Sequence, residues 1–237
     1  FRGGGLTGDV YLDVLPPKSR LVDPWVECAV AKGRVTFRAE GARLPSDGVR
    51  LRADVTGCGA RKRFESGVIR PDAEGVLSFS APWKDARQWN FRAATNLYSC
   101  TLSLTTAVGK LLDVAHPLTF GFREMSIEGN RLLMNGVPIH LRMLLVPIAC
   151  MGPDLSNRDA CRETCRRLKE EGYNCITDQY GSVPGSYSYS EAILQACDEF
   201  GIAYVHTLPH VKDYGGVESF LTNETGRAAY TRVARCA

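Results

Sequence analysis

The period of the residue pattern changes near Phe122, and that change constrains the fold more than any other feature of the chain. Upstream, short runs alternate between apolar and polar residues, the two-residue period of a half-buried strand. Downstream, strand-like runs are separated by longer runs with apolar residues three and four apart, the period of an amphipathic helix. A chain with both patterns in succession builds two kinds of layer, one all β and one α/β.

The upstream part predicts strands at Val10–Val14, Val26–Val30, Val35–Ala39, Val49–Val55, Lys62–Ile69 and Val76–Phe79, with Gly, Pro, Asp or Ser between them. Leu97–Thr105 carries Leu97, Cys100, Leu102 and Leu104 as its apolar set, and Lys110–Val114 pairs with it across Val108-Gly109. Short strands at this spacing, without helical period, predict an immunoglobulin-like β-sandwich over 10–122.

Downstream, Met125–Ile127 and Arg131–Met134 flank Glu128-Gly129-Asn130, and Asn135-Gly136 makes a second turn. Ile139–Val146 then reads as one nearly continuous apolar strand, with His140 inside it and core-adjacent. A helix follows, capped by Ser156 or Asn157, with Cys161, Cys165 and Leu168 as its apolar stripe and Gly172 at its end. Asn174–Thr177 is a second strand, Ser190–Phe200 a second helix closed by Gly201, Ile202–His206 a third strand, and Thr225–Cys236 a third helix. Such alternation predicts a parallel sheet with right-handed crossovers.

Composition narrows the function. A formal net charge of +3, with basic residues scattered among acidic ones, argues against nucleic acid as a partner. No apolar run is long enough to span a bilayer, which argues against a membrane. The chain starts at Phe1 with no charged-then-apolar leader before Leu6, which reads as a truncated or processed start. Nine cysteines include no CxxC pair and no histidine at zinc-ligand spacing, so they read as buried thiols and no metal is expected. Gly3-Gly4-Gly5 follows no strand and makes no phosphate cradle. No cofactor is implied.

Several segments, taken in order, carry a resemblance. They are Gly8–Leu12; Trp89 with Asn96-Leu97-Tyr98; Gly121-Phe122-Arg123-Glu124; Leu133–Ile139 around Asn135-Gly136; Leu168-Lys169 with Gly172–Ile176; and Cys197–Ile202. Together they resemble glycoside hydrolase family 2, the β-galactosidase, β-mannosidase and β-glucuronidase type of enzyme, across essentially the whole chain. The resemblance implies a multidomain β plus α/β protein. Residues 1–9 would end an N-terminal jelly roll or linker, 10–122 would form the sandwich, and 123–237 the first part of a (β/α)8 TIM barrel. It also implies cleavage of a β-linked glycoside with retention, through two glutamates after the fourth and seventh barrel strands. Three strands precede Ala237, so that pair is expected beyond it and no catalytic residue is assigned here. Glu124, Glu128 and Glu191 read as surface or turn residues.

The active site of such a barrel lies at the carboxy-terminal ends of its strands. That rule nominates Arg142 at the first strand, Asp178, Gln179 and Tyr180 at the second, and His206 and His210 at the third as contacts to a carbohydrate substrate. Pro209 argues against a helical His206/His210 metal pair. Gly181–Tyr187 is a loop on the same rim, and His116 reads as structural. The rim departs from common members of the family: Arg142–Pro147 stands where a Gly-Val-Asn-His type of sequence is usual, and Thr177–Tyr180 where Arg-Thr-Ser-His is. The sugar is therefore left open. A non-catalytic carbohydrate-binding or structural homologue is the alternative, and an adhesion sandwich beside an unrelated α/β domain a third reading. Unpaired edges of a partial barrel predict that 1–237 alone is inactive and prone to aggregate.

Overall fold

The computed structural model describes Leu12, residues 18–145, 157–177 and 190–205, and Glu224, Arg227 and Ala228. Two compact units divide the chain: one is Tyr11–His140, the other Leu141–Ala237 together with Phe1–Val10. The strand expected at Val10–Val14 lies, apart from Leu12, outside the described residues, as does most of the helix expected at Thr225–Cys236.

The first unit opens with eight strands: β1 (Arg20–Ala29), β2 (Arg34–Ala42), β3 (Val49–Gly57), β4 (Ala60–Glu65), β5 (Val76–Pro82), β6 (Leu97–Thr106), β7 (Leu111–Val114) and β8 (Leu118–Gly121). They form two antiparallel sheets, ordered β1-β2-β5 and β4-β3-β6-β7, with β8 also paired to β6. The inner faces share one core. Phe37 and Leu77 come from the first sheet, and Val49, Leu51, Ala53, Val55, Leu102 and Leu104 from the second. Trp83 lies among aromatic rings, its centroid 4.8 Å from that of Tyr98 and 5.8 Å from that of Phe122. Burying each large side chain contributes ~1.5–3 kcal/mol, so the alternating inward residues hold this unit together.

The two-residue period also corrects the expected core. Cys100, Leu102 and Leu104 are buried, but the position in phase with them is Tyr98, at 2 % exposure, whereas Leu97 is only partly buried. The run expected at Lys62–Ile69 keeps strand geometry only to Glu65; Ser66 then binds the backbone of Leu51, and Ile69 pairs alone with Val49. β8 was not expected at all. It pairs with the first half of β6 while β7 pairs with the second half.

A small antiparallel sheet follows, β9 (Met125–Glu128), β10 (Arg131–Met134) and β11 (Val137–Pro138), in the order β11-β10-β9. Asn135 (φ 53°) and Gly136 (φ 76°) make the left-handed turn between β10 and β11. The expected continuous strand at Ile139–Val146 is divided. Ile139 donates its N–H to Leu132 O and extends the small sheet, whereas the parallel strand begins only at Met143. His140 falls between the two and is exposed rather than core-adjacent. His116 is likewise exposed.

In the second unit, β12 (Met143–Leu145), β13 (Cys175–Thr177) and β14 (Ala203–Val205) are parallel and adjacent in sequence order. α1 (Arg158–Glu170) precedes β13 and α2 (Ser190–Phe200) precedes β14. Asn157 caps α1, its side chain accepting from the N–H groups of Asp159 and Ala160 at 2.9 and 3.2 Å. Cys161, Cys165 and Leu168 form its buried stripe. Each helix closes on a left-handed glycine, with Tyr173 N–H on Leu168 O after Gly172 and Ile202 N–H on Cys197 O after Gly201. Both helices share one core with Ile176, and Leu144 and Tyr204 pack against it, so both cover the same face of the sheet.

Candidate functional site

Three parallel strands give the second unit two chemically different edges. At the amino-terminal edge, Asn174 is the organiser. Its Oδ1 accepts from Arg142 N–H at 2.7 Å, its own N–H donates to Arg142 O at 3.2 Å, and its carbonyl accepts from Ala203 N–H at 2.8 Å. The backbone entering β12, β13 and β14 is therefore tied through one buried amide. Arg142 Nε donates to Gly172 O and Lys169 Nζ to Gly201 O, so each cation meets the carbonyl of a helix-closing glycine. Burial, and then the neighbouring charge of Arg142, hold the Lys169 ammonium below the usual lysine range.

This places Arg142 differently from the sequence expectation. It stands immediately before β12, at the edge where the strands start, and not at the carboxy-terminal edge where a sugar contact was expected. The reason is the divided run at 139–146: once Ile139 is used by the small sheet, the strand begins after Arg142.

The carboxy-terminal edge is formed by Leu145, Thr177 and Val205. Thr177 Oγ1 donates to Val205 O at 2.9 Å and ties the last residues of β13 and β14. Leu145 and Val205 are 47 % and 43 % exposed, and Met143, on the same face of β12, 52 %. Asp178 and His206 follow Thr177 and Val205 directly in sequence. Asp178, Gln179, Tyr180, His206 and His210 lie outside the described residues, as does the loop Gly181–Tyr187. Thr177, the first residue of the stretch in which the rim departs from the family's usual sequence, is thus engaged by the backbone of the neighbouring strand.

The sandwich motifs converge on a different place, within the first unit. Trp89 is 1 % exposed, its N–H donates to Phe122 O at 3.0 Å, and the Arg123 guanidinium lies over its ring at 4.5 Å. A Cβ on Gly121 would stand 2.7 Å from Trp89 Cβ, so only glycine fits. Asn135 Nδ2 donates to Trp89 O at 2.9 Å, Asn135 Oδ1 accepts from Glu124 N–H at 2.8 Å, and Glu124 Oε2 accepts from Ala31 N–H at 2.9 Å. The second tryptophan-associated segment is tied in too: Asn96 donates to Gln88 O, and Tyr98 OH accepts from Arg87 N–H at 2.7 Å. These residues build a joint held by the hydrogen bonds among Trp89, Phe122, Glu124 and Asn135. Glu128 and Glu191 are exposed, the latter bound by Gln195. Among the described residues, no three His, Cys, Asp or Glu are placed to hold a metal.

No family model and no curated protein matches the chain. Solved structures do. A Ruminococcus gnavus β-glucuronidase superposes with a TM-score of 0.60 at 20% identity, over 93% of this chain and 35% of the enzyme. A family 2 β-galacturonidase from Eisenbergiella tayi gives 0.57 at 22% identity, over 81% of this chain and 33% of that one. β-Glucuronidase 3 of Bacteroides uniformis gives 0.57 at 22% identity, over 92% and 25%. The chain thus shares the fold of part of these glycosidases and spans about a third or less of their length.

Proposed function

We propose that this chain is the sandwich and early-barrel portion of a divergent family 2 glycoside hydrolase that cleaves a β-linked glycoside with retention. The observation that carries the barrel reading is the adjacent parallel order β12-β13-β14 with α1 and α2 on the same face. Right-handed crossovers that advance in one direction put successive helices on one face, which the opening units of a barrel share with one half of a doubly wound sheet. The likeness of fold to family 2 glycosidases favours the barrel. The order β1-β2-β5 against β4-β3-β6-β7, with Tyr98 hydroxyl bound to upstream backbone, supports the immunoglobulin-like reading of the first unit.

On this reading Asp178, Gln179, Tyr180, His206 and His210 contact the sugar from the carboxy-terminal rim, and Thr177 braces it. Arg142 acts at the opposite edge as a tie. The glutamate pair, ~5 Å apart in retaining enzymes, is supplied by later strands, and 1–237 alone does not turn over substrate. The test is the full-length protein with aryl β-glucuronides, β-galacturonides, β-galactosides and β-mannosides, following the first-formed anomer by NMR. Release of the β anomer first supports the proposal; first release of the α anomer overturns it.

A second reading, a carbohydrate-binding homologue without catalysis, is motivated by the departure of Arg142–Pro147 and Thr177–Tyr180 from the sequences usual in the family. Saturable sugar binding with no hydrolysis of any of these glycosides would establish it.

A further inference from the structure

Two thiols from different helices meet inside the second unit. Cys165 Sγ of α1 and Cys197 Sγ of α2 are 3.8 Å apart, 0 % and 2 % exposed. They are in van der Waals contact and separated by 32 residues of chain. The small side chains Cys161, Cys165, Ala196 and Cys197 let the two helices approach closely across the shared core. Polar ties already join the same pair: Arg158 and Arg162 both bind Glu199, at 3.3 and 3.0 Å.

We propose that Cys165 and Cys197 form an oxidisable pair, whose disulfide covalently staples α1 to α2. The co-reactant is a low-molecular-weight disulfide. The thiolate of one cysteine attacks it, forming a mixed disulfide and releasing one small thiolate. The other cysteine's thiolate then attacks the protein sulfur of that mixed disulfide and releases the second. Two protein thiols are oxidised, one small disulfide is reduced to two small thiols, and the two cysteine protons end on the departing thiolates.

Burial decides when this happens. The Cys197 thiol is held well above the ordinary range, first by its contact with Cys165 and then by burial, so it is a poor nucleophile in the packed state. Exchange therefore proceeds through conformers in which the helices part, and packing then shields the bond from reductant. Cys161, one turn away on α1, is the internal competitor.

The experiment incubates the purified chain with oxidised glutathione, with and without a low concentration of urea. Free thiols are then alkylated in denaturant and the cross-linked peptides identified by mass spectrometry. The expected product joins the peptides of Cys165 and Cys197, two hydrogens lighter than their sum, and forms faster in urea. It is retained in Cys161→Ser and lost in Cys165→Ser and in Cys197→Ser. The oxidised chain should melt higher by on the order of 5 °C or more, reversibly with dithiothreitol. Linkages through Cys161 or Cys175, glutathione adducts alone, or unreacted thiols after cycling through urea would overturn the proposal.

Discussion

Asn174 holds Arg142 by both backbone polar groups, accepting from its N–H at 2.7 Å and donating to its carbonyl at 3.2 Å. Asn174 is 6 % exposed, so removing its side chain takes the acceptor from the Arg142 N–H in a part-buried hydrogen bond. Asn174→Ala should cost about 1–3 kcal/mol in urea unfolding of the second unit. Asn174→Asp, which keeps the acceptor oxygen, should cost less. Equal losses for the two variants would show that the amide donor, and not the acceptor, matters.

Gly121 and Trp89 make a second prediction. A methyl group added at Gly121 would stand 2.7 Å from Trp89 Cβ, so Gly121→Ala forces the indole or the β8 backbone to shift. Overpacking of this kind costs about 1–3 kcal/mol. The displaced ring should also lose its Arg123 partner, so the tryptophan near-ultraviolet circular dichroism should change together with stability. Arg123→Ala removes the cation over the ring, a contact that accounts for about 0.5–2 kcal/mol of the expected loss. An unchanged spectrum in Gly121→Ala would mean the joint has slack.

On the exposed face of α1, Glu163 is bound by Arg166 and Arg167. Those contacts, the Arg166 hydrogen bond first and then that of Arg167, lower its carboxyl from 4.5 to about 2. A depressed folded-state value means the contribution to stability is present above pH 4.5 and is lost as pH falls toward about 2. The group is exposed to solvent, so the effect is small and salt-sensitive. Carboxyl-carbon NMR should place the Glu163 midpoint near the lower value, and Arg166→Gln should return it toward 4.5. A midpoint unmoved by Arg166→Gln would rule out that pairing in solution.

The sequence disclosed those parts of the fold in which side-chain period and burial coincide. β3 is the clear case, since Val49, Leu51, Ala53 and Val55 alternate with Arg50, Arg52 and Asp54 and all four apolar residues are buried. At β6 a tyrosine took the inward position that hydrophobicity alone gave to Leu97, because the Tyr98 ring packs on Trp83 while its hydroxyl reaches Arg87 backbone. At 139–146 an apolar run without a turn residue was shared between two sheets, and period cannot locate such a break. That error carried Arg142 to the wrong edge. The motifs around Trp89, Gly121 and Asn135 were legible as residues, but their convergence was not, because contacts between residues 46 positions apart leave no local pattern.

On the proposed glycosidase reading the two edges of the parallel sheet serve different ends, the carboxy-terminal one binding and the amino-terminal one stability, and this gives the last prediction. Asp178 follows the end of β13, so Asp178→Asn in the full-length enzyme should lower kcat/KM by about tenfold or more, the loss expected for one charge-assisted hydrogen bond. Its melting temperature should stay close to that of the parent. Arg142 stands at the opposite edge on Gly172 O, so Arg142→Ala should lower the melting temperature and leave KM nearly unchanged. Steady-state kinetics with the best aryl glycoside, beside thermal melts of both variants, decide the matter. A raised KM in Arg142→Ala with unchanged stability would return that residue to the sugar site. Unchanged kinetics in Asp178→Asn would remove the residue after β13 from it.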